Sequence, residues 1–196
     1  MSKAAATRSL ILQKAFELIY VHGYQGTSID DIIATTQVTK GAFFYHFKNK
    51  DDMGLAVIKE VMYTNMYEVL VRPLLHADDP VKDIYKMMKE LLLINPFLRV
   101  TYGCPANNLI QEMSPLNDAF NLELEKLVTE FRDAIEACIH AGKKAGKVRK
   151  NVHARQVAYF VMAGYGGIRN LGKVFNDTEC YVVYLKELKH YLKGLE

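Results

Sequence analysis

Residues 27–50 read TSIDDIIATTQVTKGAFFYHFKNK, and this stretch predicts two short helices joined by a tight turn. Ser28 can cap the first helix, because Asp31 follows it at the spacing of a capping box. Thr39 can cap a second helix that begins at Lys40. Two helices this short, with so brief a connection, form a helix-turn-helix.

The second predicted helix begins with small residues and continues with aromatic ones. Phe43 and Phe47 lie four residues apart, so they share a face, and we predict that they belong to the core. Tyr45 and His46 are predicted to point away from the face that Phe43 and Phe47 share. If the small residues approach a DNA major groove, the start of the helix meets base edges, while the phenol and imidazole groups reach phosphates. The alternative is that all of these aromatic residues are core.

The segment GTSIDDIIATTQVTKGAFFYHFKNKDDM, residues 26–53, resembles the DNA-binding signature of the tetracycline-repressor-like (TetR/AcrR-type) family of bacterial transcription regulators. The resemblance implies an all-α homodimer in which a three-helix module, residues 1–50, binds double-stranded operator DNA. Residues 51–196 would form a helical domain for ligand binding and dimerisation. By matching position, the resemblance implies DNA contacts from Ser28, Thr39, Lys40, Gly41, Ala42, Phe44, Tyr45, His46 and Lys50.

The chain departs from the family pattern at two positions. Gln37 stands where the family usually has Gly, so two alternatives are open: Gln37 adopts a left-handed backbone at a cost of about 1 kcal/mol, or the turn differs slightly from the family's. Phe44 stands where the family usually has Tyr. The missing hydroxyl leaves Tyr45 as the favoured phosphate donor.

The positive charge is concentrated in the same region. Residues 1–50 hold six Lys and Arg against three acidic residues, whereas residues 51–196 hold 19 of each, and the net charge is +3. This excess coincides with the predicted DNA-binding module. We find neither an apolar run long enough to span a membrane nor the apolar core of a signal peptide, so we expect a cytoplasmic protein without membrane contact.

Several element ends are predicted from local signals. Residues 1–7 are small and polar, which predicts a disordered arm. Asn49 can cap a long helix that is expected to end before Pro73. Asn151 can cap another helix near the C-terminus.

The three cysteines are widely spaced and odd in number, which predicts neither a disulfide framework nor a metal site. Cys104 precedes a predicted helix, where a thiol can gain acidity. No base lies near it in sequence, and the alternative is a sequence-distant partner such as His140 or His153. We expect a buried or pocket-lining Cys104, no cofactor and no enzymatic activity. The alternative is a ligand-binding protein, or a Cys104-dependent enzyme or redox protein, with a vestigial DNA-binding module.

The last two predicted helices carry apolar residues at alternating spacings of three and four, a pattern typical of helix bundles. In the resembling family, such helices form a four-helix dimer interface. The same residues would also suit the core of one chain. The interface is predicted to contain Val157, Val161, Gly164, Ile168, Leu171, Tyr181, Leu185, Leu188 and Leu192.

The family resemblance also implies a ligand pocket among the helices before the dimer pair. Aromatic walls with a few amide groups favour a small, largely apolar effector. The expected function is therefore a ligand-responsive regulator, a repressor that binds a pseudo-palindromic operator and is released by its effector. The candidate pocket residues are Tyr63, Tyr67, Phe97, Tyr102, Cys104, Asn108, Gln111, Phe120, Tyr159, Met162 and Tyr165.

Overall fold

The computed structural model describes residues 2–75, 77 and 79–196, and every regular element within these residues is helical. The all-α fold class is therefore confirmed. A single 3₁₀ turn at Val100–Tyr102 precedes the sixth helix. The helices are α1 (Lys3–His22), α2 (Ile29–Thr36), α3 (Lys40–His46), α4 (residues 50–75), α5 (residues 80–94), α6 (Pro105–Met113), α7 (Asp118–Lys144), α8 (Ala154–Phe175) and α9 (Glu179–Lys193).

The chain divides into two compact units. The first comprises Met1–Asn65 with Pro105–Lys126, and the second comprises Met66–Cys104 with Leu127–Glu196. Helices α4 and α7 therefore contribute residues to both units. The first unit continues past residue 50, and the domain boundary expected there stays a prediction.

The core of the first unit forms where α1 packs against α2, α3 and the first part of α4. Ile11, Ala15, Ile32 and Phe43 are all completely buried there. Phe47 is 2% exposed, so the prediction that both phenylalanines of the α3 segment belong to the core is confirmed. The second helix of the motif is thus fixed to its own module through one face.

The helix caps of the motif follow the sequence closely. Ser28 Oγ accepts a hydrogen bond from the Asp31 amide at 3.1 Å, and the Asp31 carboxylate accepts one from the Ser28 amide at 2.8 Å, which completes the predicted capping box. Thr39 Oγ1 accepts from the Ala42 amide at 3.2 Å and caps α3. Asn49 caps α4 in the same way, as predicted. These side chains satisfy amides that would otherwise lack partners at the helix starts.

The turn between α2 and α3 contains the predicted left-handed residue. Gln37 has φ 57° and ψ 18°, and its amide donates to the Ile33 carbonyl at 3.1 Å. A side chain is disfavoured in this region, where Gly carries no steric penalty. Gln37 therefore adopts a conformation that glycine takes more easily, which confirms the first of the two alternatives for this turn.

The N-terminal prediction is wrong for residues 2–7, because α1 begins at Lys3. Ser2 caps it by accepting a hydrogen bond from the Ala5 amide at 3.2 Å. The run of alanines that follows has high helix propensity, and the cap makes helix favourable over a disordered arm. Met1, which the prediction also included, lies outside the described residues.

The expected end of α4 before Pro73 is also wrong, since helix continues through Arg72–Leu75. Two π-helical segments, Val57–Met62 and Tyr67–Val71, interrupt the α-helical hydrogen bonding. The Arg72 amide bonds to the Tyr67 carbonyl, five residues earlier, so the turn before the proline is wider than an α-turn. A wider turn displaces the carbonyls that the proline ring would meet in a regular helix.

In the second unit, α9 packs against both α5 and α8. Two glycines permit the close approach of α8 and α9, because a Cβ on Gly164 would overlap the Tyr184 ring and one on Gly172 would overlap the Tyr181 ring. Helix α8 begins at Ala154 rather than after a cap at Asn151, so that prediction is wrong. The preceding residues form a turn in which the Arg149 amide donates to the Leu195 carbonyl at 2.9 Å. None of the helices described here is long and apolar enough to cross a membrane.

Gln37→Gly is expected to raise the free energy of unfolding by about 0.5–1 kcal/mol, because glycine removes the steric penalty at φ 57°. Chemical denaturation of the purified protein measures this change. Gln37→Ala keeps a Cβ in the left-handed region and serves as the control, for which no gain is expected. Equal stabilities of the two variants would contradict the explanation.

Candidate nucleic-acid interface

The outer face of α3 is exposed along its length. Phe43 and Phe47 are turned inward, whereas Tyr45 is 77% exposed and Phe44 is 47% exposed. An exposed aromatic pair of this size is uncommon on a surface without a binding role. The predicted DNA-contacting residues Ser28, Thr39, Lys40 and Gly41 are likewise exposed.

The start of α3 is open to close approach. No atom lies within 4 Å of a Cβ built on Gly41, and Ala42 beside it is only half-buried. The Lys40 ammonium forms an exposed ion pair with Asp30 on α2 at 3.1 Å. Such exposed pairs contribute little to stability, so this ammonium can exchange Asp30 for a phosphate.

The end of α3 holds its imidazole between two aromatic rings. The His46 ring centroid lies 4.9 Å from that of Tyr45 and 6.2 Å from that of Phe47. His46 is therefore half-buried, and its contacts restrict the orientation of the exposed Tyr45 ring. A preoriented phenol loses less conformational entropy when it binds a phosphate.

Lys50 is placed differently from the other predicted contact residues. Its ammonium donates to the carbonyls of Tyr24 at 2.9 Å and Thr27 at 3.0 Å, and it lies 4.4 Å from the Tyr24 ring centroid. These bonds hold the turn that leads into α2. Lys50 thus has a structural role inside the module, while its contact with DNA stays a prediction.

Tyr24 is the centre of a group of contacts that we call the Tyr24 network, made by Tyr24, Lys50, Asp51, Glu112 and Phe120. The Tyr24 ring is 3% exposed and packs edge-on against Phe120 at a centroid distance of 4.9 Å. Its hydroxyl donates to the Asp51 carboxylate. Burial, followed by this hydrogen bond, raises the pKa of Tyr24 well above its usual value. The network fixes the start of α2 and hence the motif.

Glu112 on α6 completes the network from a distant part of the chain. Its carboxylate accepts hydrogen bonds from the amides of Tyr24 at 2.8 Å and Gln25 at 2.6 Å. Gly23, at φ 81°, lies directly against this carboxylate, which a Cβ there would approach to 3.1 Å. Charge-assisted bonds of this kind are among the stronger ones in proteins. Neither Tyr24 nor Glu112 was predicted from the sequence, because their contact joins segments 88 residues apart.

The candidate ligand-pocket residues fall into both units. Tyr63, Asn108, Gln111 and Phe120 belong to the first, and the other seven belong to the second. The placement of Phe120 is a correction, because it is completely buried against Tyr24 and Gly54 in the core of the first unit and has no surface for a ligand. The others stay predictions.

The candidate pocket residues of the second unit differ widely in exposure. Cys104 is 3% exposed and Tyr165 is 5% exposed, whereas Tyr159 is 51% exposed. Hydrogen bonds from Arg132 and Arg155 lower the pKa of Tyr159. Tyr159 therefore belongs to a polar surface cluster. Cys104 has the burial expected of a structural or pocket-lining cysteine.

The candidate dimer-interface residues fall into a buried group and a group that is at least partly exposed. Six of them are at most 3% exposed, so they belong to the core of their own chain and cannot line an interface. The prediction is therefore corrected for Val157, Val161, Tyr181, Leu185, Leu188 and Leu192. The space beside the Gly164 Cα is filled by the Tyr184 ring of the same chain. Ile168 and Leu171 do line an external groove of about 530 Å³.

A capped helix, a short turn and a second helix with an exposed outer face together define a helix-turn-helix DNA-binding protein. Residues 11–57 match the family model described as "Bacterial regulatory proteins, tetR family". Residues 87–188 match the model described as "Tetracyclin repressor-like, C-terminal domain". The chain belongs to the TetR family of bacterial transcriptional regulators, which confirms the resemblance seen in residues 26–53.

Individual relatives agree with this assignment. An uncharacterized HTH-type transcriptional regulator in the lacX 3′ region of Lactococcus lactis subsp. lactis is 33% identical over 171 residues, with 87% of this chain and 85% of that protein covered. The HTH-type transcriptional repressor DhaR of Mycobacterium sp. (strain GP1) is 26% identical over 160 residues, with coverages of 82% and 79%. A TetR transcriptional regulator from Chloroflexus aurantiacus J-10-FL matches the structure with a TM-score of 0.88 at 25% identity, with 98% of this chain and 96% of that chain covered.

Glu112→Gln is expected to lower the free energy of unfolding by about 1–2 kcal/mol, because an amide accepts one of the two N–H groups and leaves the other facing a donor. Urea denaturation measures the loss. Glu125→Gln, at an exposed position of α7, is the matched control and should change stability by no more than about 0.5 kcal/mol. The same small change in both variants would refute the role of Glu112.

Proposed function

We propose that this protein is a ligand-responsive repressor that binds a pseudo-palindromic operator as a homodimer and is released by a small-molecule effector. The observation that carries the proposal is the division of α3 into a buried face and an exposed face. Phe43 and Phe47 fix the helix to its module, so that Gly41 and Tyr45 face outward on a rigid support. Rigid presentation of a helix start is what readout of a major groove requires.

Repression is supported by the names of related proteins. DhaR is an HTH-type transcriptional repressor, and the NemR repressor of Escherichia coli (strain K12) is 20% identical over 187 residues. A repressor acts by occupying its operator, which needs no further catalytic or activating surface. Cys104 is a buried free thiol, which is the environment of a structural or pocket-lining cysteine, whereas reactive cysteines are typically partly exposed.

Dimerisation is supported by the exposed apolar surface of α8 and α9. Phe160, Leu171, Phe175 and Val183 are between 48% and 61% exposed, and Val174 is 77% exposed. Leu171, Phe175 and Val183 also line one external groove, and a cluster of exposed apolar side chains of this kind indicates a protein interface. These residues take the place of the buried ones that the sequence pattern favoured. A symmetric dimer would hold two α3 helices about 34–36 Å apart, one turn of DNA.

The effector would act by preferring a conformation in which the spacing of the two α3 helices no longer matches the operator. This release requires a different affinity of the effector for the two conformations. The aromatic residues Tyr67, Phe97, Tyr102 and Tyr165 of the second unit remain the candidates for its pocket. The corrected pocket no longer includes Phe120.

The double variant Tyr45→Ala/His46→Ala is expected to bind the upstream region of its own gene at least about tenfold more weakly, since a phosphate contact and its positioning ring are lost. Fluorescence anisotropy with labelled DNA measures the affinity at two salt concentrations, because phosphate contacts make binding salt-dependent. His140→Ala/Tyr159→Ala, two exposed aromatic residues of α7 and α8, is the matched control. Unchanged affinity, or equal affinity of the unaltered protein for shuffled DNA, would reject operator binding through α3.

Leu171→Glu is expected to convert the dimer to monomer at micromolar concentration, because a carboxylate would be buried in an apolar interface. Sedimentation velocity measures the change. Leu122→Glu is the control, since Leu122 is 54% exposed on α7 and Leu171 is 48% exposed on α8. A Leu171→Glu protein that remains dimeric would exclude this surface as the interface.

A further inference from the structure

Arg169 on α8 is a buried cation that the helix-turn-helix does not use. It is 0% exposed, and none of the described residues places a carboxylate within ion-pair distance of its guanidinium. A buried charge is strongly disfavoured unless it is paired or fully hydrogen-bonded. Its Nε has no hydrogen-bond partner, and neither has the hydroxyl of Tyr181, over whose ring the guanidinium lies at 5.5 Å.

The guanidinium is instead solvated by backbone carbonyls of one turn. Nη1 donates to the Leu98 carbonyl at 3.2 Å, and Nη2 donates to the carbonyls of Arg99 at 3.2 Å and Gly103. Gly103 has φ 71°, a backbone conformation that favours glycine. The turn is therefore shaped to direct partial negative charges at the cation.

This cation stands within the segments that supply the candidate ligand pocket. Phe97, Tyr102 and Cys104 lie on or beside the same turn, and Tyr165 lies one helical turn before Arg169 on α8. Sequence reasoning had no charged residue among the candidates and therefore favoured a largely apolar effector. A buried guanidinium without a counter-ion changes the chemistry expected of the ligand.

We propose that Arg169 recognises the carboxylate of an organic acid effector, and that the carbonyls of Leu98, Arg99 and Gly103 occupy its donors when the effector is absent. This inference rests on the proposed function and names the ligand class for it. A carboxylate pairs with a guanidinium more strongly than neutral carbonyls do, and planar bidentate geometry suits both partners.

The effector and the turn compete for the same guanidinium donors, so the effector binds one conformation of the protein more tightly than the other. When a carboxylate takes the guanidinium, the turn from Leu98 to Gly103 loses the bonds that hold it. The effector therefore has a higher affinity for the state with the released turn, and this difference is the requirement for a ligand to shift a conformational equilibrium. The released turn continues in sequence into α6, the helix that carries Glu112.

The test uses the full-length protein and three matched probe pairs: propionate and propionamide, octanoate and octanamide, and benzoate and benzamide, with inorganic phosphate as a further anion. Thermal unfolding is recorded with each probe in excess. We expect at least one carboxylate to raise Tm by about 2–4 °C, while its amide leaves Tm unchanged. Arg169→Met should abolish this difference. Arg155→Met, an exposed arginine on the same helix, should retain it.

Arg169→Lys keeps a positive charge and should retain a weakened preference for the carboxylate, so it replaces Arg169→Met if that variant does not fold. The proposal is overturned if no carboxylate differs from its amide in the unaltered protein, if phosphate alone raises Tm, or if Arg169→Met keeps the preference. Operator binding without any probe is measured on the same preparation. If the unaltered protein does not bind its operator, the proposed function is rejected. If it binds the operator but no carboxylate has an effect, only the role of Arg169 is rejected.

Discussion

The orientation of the DNA-reading helix depends on how the turn between α1 and α2 is held. Besides the turn's own bond from the Thr27 amide to the Tyr24 carbonyl, side chains of the first unit bind two of its amides, two of its carbonyls and the Tyr24 hydroxyl. The carboxylate of Glu112 takes the amides and the ammonium of Lys50 takes the carbonyls. Because Ser28 and its capping box follow the turn directly, this arrangement fixes where α2 begins. Helix α3 then follows through the left-handed Gln37.

Some apolar residues of α8 and α9 in the second unit are buried in its core, and others are exposed on its surface. One face of α8 and α9 forms the core of the chain, where Gly164 and Gly172 accommodate tyrosine rings. Other residues of α8, among them Phe160 and Leu171, stay exposed, and we propose that they associate with a second copy. Arg169 is the exception on the buried face, where backbone carbonyls and the Tyr181 ring stabilise its charge and, among the described residues, no carboxylate pairs with it. A group that is so incompletely compensated is well suited to respond to an anion.

Much of the first unit was predictable because its signals are local. The capping residues and the burial of Phe43 each follow from residues within one or two turns, whereas the left-handed conformation of Gln37 was one of two alternatives that the family resemblance implied. Glu112 could not be predicted, because its partner Tyr24 lies 88 residues away in sequence. The dimer stripe failed for another reason. The same apolar repeat suits a helix pair within one chain as well as an interface between chains, and here Val157, Tyr181 and Leu192 are buried in the core of their own chain.

We propose that two copies of α3 read a symmetric DNA site from a rigid support. Repeated selection of bound sequences from a random DNA library, followed by sequencing, measures this symmetry. The enriched motif is expected to contain two inverted half-sites whose centres lie about 10–10.5 base pairs apart, or a multiple of that spacing. A library without an enriched motif, or a single half-site without an inverted partner, would exclude symmetric readout by two α3 helices.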